Sequence, residues 1–138
     1  MIGRKANQWL KETVAKRIFD GKACSRKLGP RMVSCDGRTV TASYLDDPKN
    51  PKSRLCWGDP VYNQIFEFDR KTRKFAFDAC GYVSDISVHS INACLEGAGL
   101  AFELNRRGGD INVTGPSGRT WSCGCNRVTS DECESAGV

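Results

Sequence analysis

The chain has 138 residues, of which 39% are hydrophobic and 27% charged. This size and composition fit one globular domain with a hydrophobic core and exclude a disordered chain. No apolar run reaches the roughly 18 to 20 residues that cross a bilayer, so a membrane span is excluded as well. The N-terminal residues also lack the apolar run of a secretory signal. We therefore expect either a cytoplasmic protein or a mature secreted form whose signal has been removed.

The positive charge is concentrated at the N-terminal end. Residues 1–31 contain nine Lys and Arg against Glu12 and Asp20, a balance of +7, whereas the whole chain carries only +5. Such asymmetry is typical of a segment that meets an anionic partner, such as nucleic acid, an acidic protein surface or anionic lipid. The alternative interpretation is a solvated helix face that keeps the protein soluble.

An amphipathic helix is predicted within residues 1–21. Leu10, Val14 and Ile18 recur at helical spacing, and Gly21 can end the helix in a left-handed cap. The polar face of this helix is mostly basic. We take four of its residues as candidate contacts for nucleic acid or a partner protein: Arg4, Lys5, Lys11 and Lys16.

Three β-hairpins are predicted further along the chain. Their strands are alternating or β-branched segments on either side of turns at 35–38, 69–73 and 106–109, and one more strand is predicted at 119–123. Arg106 and Arg107 fall at the tip of the third hairpin, where they are candidate phosphate contacts. Solvated arginines are also common at such turns.

A core helix is predicted over 88–98, where apolar residues form one helical stripe. We expect it to pack across a sheet formed by the 61–79 and 100–114 hairpins, with Ile91 buried. The polar tail at 126–138 is expected to fray unless Cys133 holds it.

The predicted fold class is therefore α+β. It is a small single domain over residues 1–138, with antiparallel β-hairpins packed on one central helix plus the N-terminal amphipathic helix.

The eight cysteines allow three interpretations. An even count at this density fits a secreted protein with four disulfides, as in small effectors and toxins. Cys80 and Cys94 lie among apolar residues, which instead favours reduced thiols in the core. Cys123, Cys125 and Cys133, completed by Cys80 or His89, make a weak zinc pattern.

No catalytic set is recognisable in the sequence. His89 is the sole histidine, and its position on the predicted helix places it at the surface. No signature of a cysteine nucleophile, a phosphate-binding loop or a zinc protease is present. We therefore expect a non-enzymatic binding protein that needs no cofactor.

Four aromatic residues are candidates for stacking on bases beside the basic helix: Trp9, Trp57, Tyr62 and Trp121. Packing in the core is the commoner role of such side chains.

The block at 75–95 resembles a motif of small uncharacterised proteins encoded by bacteriophages and other mobile elements. The matching residues are Gly81, Tyr82, Ser84, Ser87, Ile91, Asn92 and Leu95. Ile86 departs from the pattern where a second Thr is usual, and so does Ser90 where a basic residue normally stands. The resemblance implies a phage-type, cytoplasmic protein with reduced thiols and says little about chemistry.

The sequence thus predicts a phage or mobile-element binding protein of the host cytoplasm that engages nucleic acid or an acidic protein through its basic N-terminal face. The alternative is a secreted effector or toxin with four disulfides. Redox state separates the two, because cytoplasmic proteins seldom keep structural disulfides.

Overall fold

The computed structural model describes residues 18, 23–28, 30–46, 49, 58–79, 85–124 and 127–138. Within these ranges the chain forms nine strands and two helices. The strands are β1 (Cys24–Leu28), β2 (Arg31–Cys35), β3 (Thr39–Asp46), β4 (Val61–Asp69), β5 (Phe75–Asp78), β6 (Glu103–Arg107), β7 (Asp110–Thr114), β8 (Thr120–Ser122) and β9 (Arg127–Thr129), and the helices are α1 (Asp85–Gly97) and α2 (Ser130–Ser135).

The strands form two antiparallel sheets. Six lie in the order β1-β2-β3-β4-β5-β9, and three lie in the order β6-β7-β8. Within the large sheet the chain runs as a meander from β1 to β5, because each of these strands pairs with the strand before it in the sequence. β9 then adds the last strand, where Val128 pairs with Phe77.

The core lies on one face of the large sheet. One row of paired residues crosses five strands, and each of its members is at most 1% exposed: Val33, Ala42, Phe66, Phe77 and Val128. A bulge opposite Ala42 and Ser43 inserts Ile65 into β4. Ile65 and Phe66 are consequently both buried, because a bulge interrupts the strict alternation of faces.

Helix α1 lies between the two sheets. It packs against β3 and β4 of the large sheet and against β6 of the small one. Ile91 is fully buried, which confirms that prediction. The helix ends in a Schellman motif, since Leu100 N donates to Leu95 O, Gly99 N donates to Glu96 O and Gly99 has a φ of 71°.

The predicted fold class is wrong. Strands make up 48% of the described residues and helices 19%, and no long central helix organises the hairpins. The hairpins at 31–46 and 61–78 instead pair edge to edge through β3 and β4, which satisfies the backbone groups that a separate hairpin leaves open. The predicted joint sheet of 61–79 and 100–114 is also wrong, because these two segments belong to different sheets.

The tail at 127–138 is folded rather than frayed. It supplies β9 and α2. Cys133 is fully buried, which agrees with the expectation that the tail is ordered when Cys133 holds it. Thr129 caps α2 by accepting a hydrogen bond from Glu132 N, and the Glu132 side chain meets the Thr129 hydroxyl at 3.2 Å. The predicted N-terminal helix lies outside the described residues except for Ile18, which is fully buried.

Candidate anion-binding surface

Two of the six predicted contact residues, Arg106 and Arg107, lie within the described structure. Arg4, Lys5, Lys11 and Lys16 lie outside the described residues. Arg106 and Arg107 lie at the end of β6, and the turn itself consists of Gly108 and Gly109. Consecutive strand residues point to opposite faces, so the two arginines do not act together. Arg107 also stands opposite the acidic residue Asp110 in the register of β6 and β7.

A basic surface of the described chain lies at one end of the large sheet. The turn between β2 and β3 lies beside the turn between β4 and β5, because Thr39 is paired with Asp69. Together these turns and the first residue before β5 carry five cationic side chains, which we call the turn face: Arg38, Arg70, Lys71, Arg73 and Lys74.

Both turns are built on an aspartate that accepts backbone hydrogen bonds. Asp36 Oδ1 accepts from the N–H groups of Arg38 at 2.8 Å and Thr39 at 2.7 Å. Asp69 Oδ1 accepts from the N–H groups of Lys71 at 2.8 Å and Thr72 at 3.2 Å. Such turns are stable because the carboxylate replaces the backbone acceptor that a turn lacks.

Arg38 and Arg70 join the two turns. The Arg38 guanidinium binds the Asp69 carboxylate through Nε at 3.1 Å and through a terminal nitrogen at 2.9 Å. The Arg70 side chain donates to Gly37 O at 3.1 Å, and its backbone N–H donates to Arg38 O at 2.9 Å. The hydrogen bond from Arg38 and those from the turn backbone lower the pKa of Asp69 to about 2.

Arg73 ties the turn face to helix α1. One of its guanidinium nitrogens donates to Ala98 O, at the C-terminus of α1, at 2.6 Å. The guanidinium also lies over the Phe68 ring, 5.6 Å from its centroid. Its backbone φ of 61° is the left-handed conformation, and no other described non-glycine residue has a positive φ. These contacts hold the strained residue in place.

Positive charge on the turn face exceeds the negative charge beside it. Asp36, Asp69 and Asp131 are the neighbouring carboxylates, and Asp131 binds Lys74 at 3.1 Å. Five cations against three carboxylates leave a balance of +2. The Arg38 and Lys74 side chains remain 59% and 63% exposed despite their ion pairs. Cationic groups held on ordered turns are suited to bind phosphate or carboxylate oxygens.

A groove between α1 and β6 carries negative charge. It encloses about 510 Å³ and is lined in part by Leu100 and Phe102, with Glu96 and Glu103 among its polar residues. Two carboxylates make this groove unfavourable for an anionic ligand.

The described aromatic candidates for base stacking are already engaged. Lys27 Nζ lies 5.2 Å from the centre of the Tyr62 ring, and Trp121 is partly buried against the core. Trp9 and Trp57 lie outside the described residues.

Three of the described thiols, those of Cys94, Cys123 and Cys133, are poor nucleophiles. Burial raises the pKa of Cys94 to about 12, and it raises the pKa of Cys123 and of Cys133 to about 11. Among the described residues no three His, Cys, Asp or Glu side chains are placed to hold a metal ion. Cys125 of the weak zinc pattern lies outside those ranges, and His89 is exposed on α1, as predicted.

No protein-family model, curated protein or solved structure matches this chain. The resemblance of residues 75–95 to phage proteins therefore stays a prediction. Within that block Ile91 packs in the core and Asn92 binds the backbone of Leu104. None of the described helices has the length and apolar character needed to span a membrane.

Proposed function

We propose that the protein is a non-enzymatic binding protein that engages nucleic acid through its basic residues. The charge of the sequence carries the proposal, since residues 1–31 hold a balance of +7 while the rest of the chain is slightly acidic. The turn face supports it as a second basic surface, with Arg and Lys side chains fixed on ordered turns.

The proposed mode of binding is contact with phosphates rather than with bases. Phosphate contacts need exposed cations, and neutralising phosphates releases counterions, which supplies most of the affinity of sequence-independent binding. Base contacts need an open aromatic face or a polar side chain that enters a groove. Lys27 lies over the Tyr62 ring and Trp121 packs partly against the core, so the described residues favour phosphate contact.

Two charge-reversal variants test the two surfaces separately. Replacing Lys5, Lys11 and Lys16 by Glu changes the charge of the N-terminal segment by six units, and Lys71→Glu changes the turn face by two. Lys71 is exposed on a turn, so its replacement should leave the fold intact. Arg119→Glu is the matched control, because Arg119 is also exposed but lies on the turn between β7 and β8.

The measurement is the affinity for a labelled duplex oligonucleotide over a range of salt concentrations. The triple variant should abolish most of the binding, and Lys71→Glu should reduce the slope of log K against log salt by about 0.9 for each phosphate that the variant no longer neutralises. Arg119→Glu should bind like the wild type apart from a small general charge effect. Unchanged binding by both test variants would assign the phosphate contacts to other residues, with Arg107 the next to test.

A further inference from the structure

The groove between α1 and β6 has an apolar floor that is fixed by the core. Leu100 and Phe102 line it, and both pack against the hydrophobic core while part of their surface stays exposed. The centres of the Phe102 and Phe75 rings are 5.2 Å apart, and Leu100 N donates to Leu95 O at 3.0 Å. A ligand therefore meets these two side chains already in place.

The two sides of the groove are also fixed against each other. Asn92 of α1 lines the groove, and its amide binds both backbone groups of Leu104 in β6, at 2.9 and 2.7 Å. The volume of about 510 Å³ lies within the range of ligand-binding clefts in proteins. The groove is thus a pre-formed cleft of useful size.

The two charged side chains that line the groove are both acidic. Glu96 and Glu103 are exposed, and neither carboxylate has an ion pair or a hydrogen bond with another residue in the described part of the chain. Arg73 lies near Gly99 at the end of the groove, but its guanidinium binds Ala98 O and lies over the Phe68 ring. The groove therefore offers negative charge that the described protein does not neutralise.

We propose that this groove binds a peptide segment of a partner protein in which Arg or Lys stands next to Leu or an aromatic residue. The apolar residue packs on Leu100 and Phe102, and its cationic neighbour pairs with Glu96 or Glu103. The stem of an Arg or Lys side chain can itself cover apolar surface while its charged end stays in water. The interaction does not depend on nucleic-acid binding, because the charge of the groove repels phosphate.

A peptide fits this groove better than a small molecule does. Small-molecule sites enclose most of the surface of their ligand. Here Ala101 and both carboxylates are exposed, so the groove is open to solvent along its length. A peptide can cross such an open groove and place alternate side chains on its floor and its acidic rim.

An NMR titration of the full isotope-labelled chain tests the proposal. Three peptides with blocked ends serve as probes: Gly-Leu-Arg-Leu-Arg-Gly, the same peptide with Gln in place of both Arg, and the same peptide with Gly in place of both Leu. The first should shift the amide signals of residues 99–103 with a Kd of about 0.1 to 1 mM, since exposed ion pairs are weak. The other two should bind about fivefold more weakly or less, because each lacks one of the two interactions.

Two double variants separate the groove carboxylates from the general charge of the protein. Glu96→Gln combined with Glu103→Gln should weaken binding of the first peptide about tenfold. Asp110→Asn combined with Glu134→Gln is the matched control, because it removes the same charge from exposed residues that do not line the groove. It should bind like the wild type. All four replaced side chains are exposed, and the spectrum of each variant reports whether its fold is kept.

Four results would overturn the proposal. They are equal affinity for the three peptides, equal affinity of the two double variants, shifts confined to residues outside the groove, and no shift at peptide concentrations well above the expected Kd. A shift of the groove signals when the protein alone is concentrated would also overturn it, because the occupant would then be a second copy of this chain.

Discussion

The side-chain amide of Asn92 binds the backbone of Leu104 through two hydrogen bonds. Asn92 Nδ2 donates to Leu104 O at 2.9 Å, and Leu104 N donates to Asn92 Oδ1 at 2.7 Å. The amide thus occupies the position of a neighbouring strand at the outer edge of β6. This contact ties α1 to the small sheet and covers backbone groups that would otherwise be open to pairing with another chain.

Asn92→Ala should destabilise the protein by about 2 to 3 kcal/mol, because it leaves both the N–H and the C=O of buried Leu104 without their partner. Chemical denaturation measures the change. Asn105→Ala is the control, since Asn105 is exposed on the same strand, and its effect should stay within about 0.5 kcal/mol. Equal effects of the two replacements would show that the Asn92 contact contributes nothing.

Gly115→Ala should destabilise the protein by about 1 to 3 kcal/mol. A β-carbon at this position would overlap the backbone of Val138 and lie 3.1 Å from the Phe102 ring. Gly109→Ala is the matched control, because a β-carbon there meets nothing within 4 Å. Thermal melting of the two variants gives the comparison. A Gly115→Ala protein as stable as Gly109→Ala would mean that the backbone of Val138 does not pack against Gly115.

At position 73 the Arg73→Gly variant should be more stable than the Arg73→Ala variant. At most positions the Ala variant is the more stable of the two. Both replacements remove the hydrogen bond to Ala98 O and the contact with Phe68. Only Ala keeps the strain of a side chain at a φ of 61°, which is worth about 1 to 2 kcal/mol. Denaturation midpoints of Arg73→Gly and Arg73→Ala test this order. The same pair at Lys71, where φ is not positive, should show Gly as the less stable variant.

Asp69 should make stability depend on pH in the acid range. Its pKa is lowered from 3.8 to about 2 in the folded protein, so its contribution is fully present above pH 3.8 and is lost as the pH falls toward 2. Asp69→Asn should therefore lose stability at pH 6 and show a flatter decline between pH 5 and 2 than the wild type. Asp110→Asn, an exposed residue with the same charge change, is the control. Parallel acid profiles for wild type and Asp69→Asn would contradict the Asp69 assignment.

The local elements of the large sheet could be predicted from the sequence. Alternating residues on both sides of Asp36 and Asp69 correctly located the hairpins of β2–β3 and β4–β5, because the turn chemistry is contained in a few neighbouring residues. The pairing of Thr39 with Asp69 could not be predicted in the same way. It joins residues that are 30 positions apart in the sequence. Hydrophobic periodicity shows which face of a strand is apolar, but it does not show which strand lies beside it.

The signals that were missed are also local. Thr129 followed three residues later by Glu132 is the sequence signature of a capping box, which predicts a helix start in the tail instead of fraying. From the sequence alone, the basic residues after Asp69 indicate only a turn. These residues form a basic surface only together with Arg38 of the neighbouring turn. The two turns are neighbours because Thr39 pairs with Asp69, and this long-range pairing could not be predicted.

The central claim, that this protein binds nucleic acid through phosphate contacts, is tested most directly by titrating the wild-type protein with a duplex oligonucleotide at several salt concentrations. We predict binding at about 50 mM salt, with log K falling linearly against log salt at a slope of about −0.9 for each phosphate contacted. No binding at about 50 mM salt, where such contacts are strong, would contradict the claim and direct the search to an acidic protein partner. An affinity that does not change with salt would contradict it equally, because binding would then not depend on phosphate neutralisation.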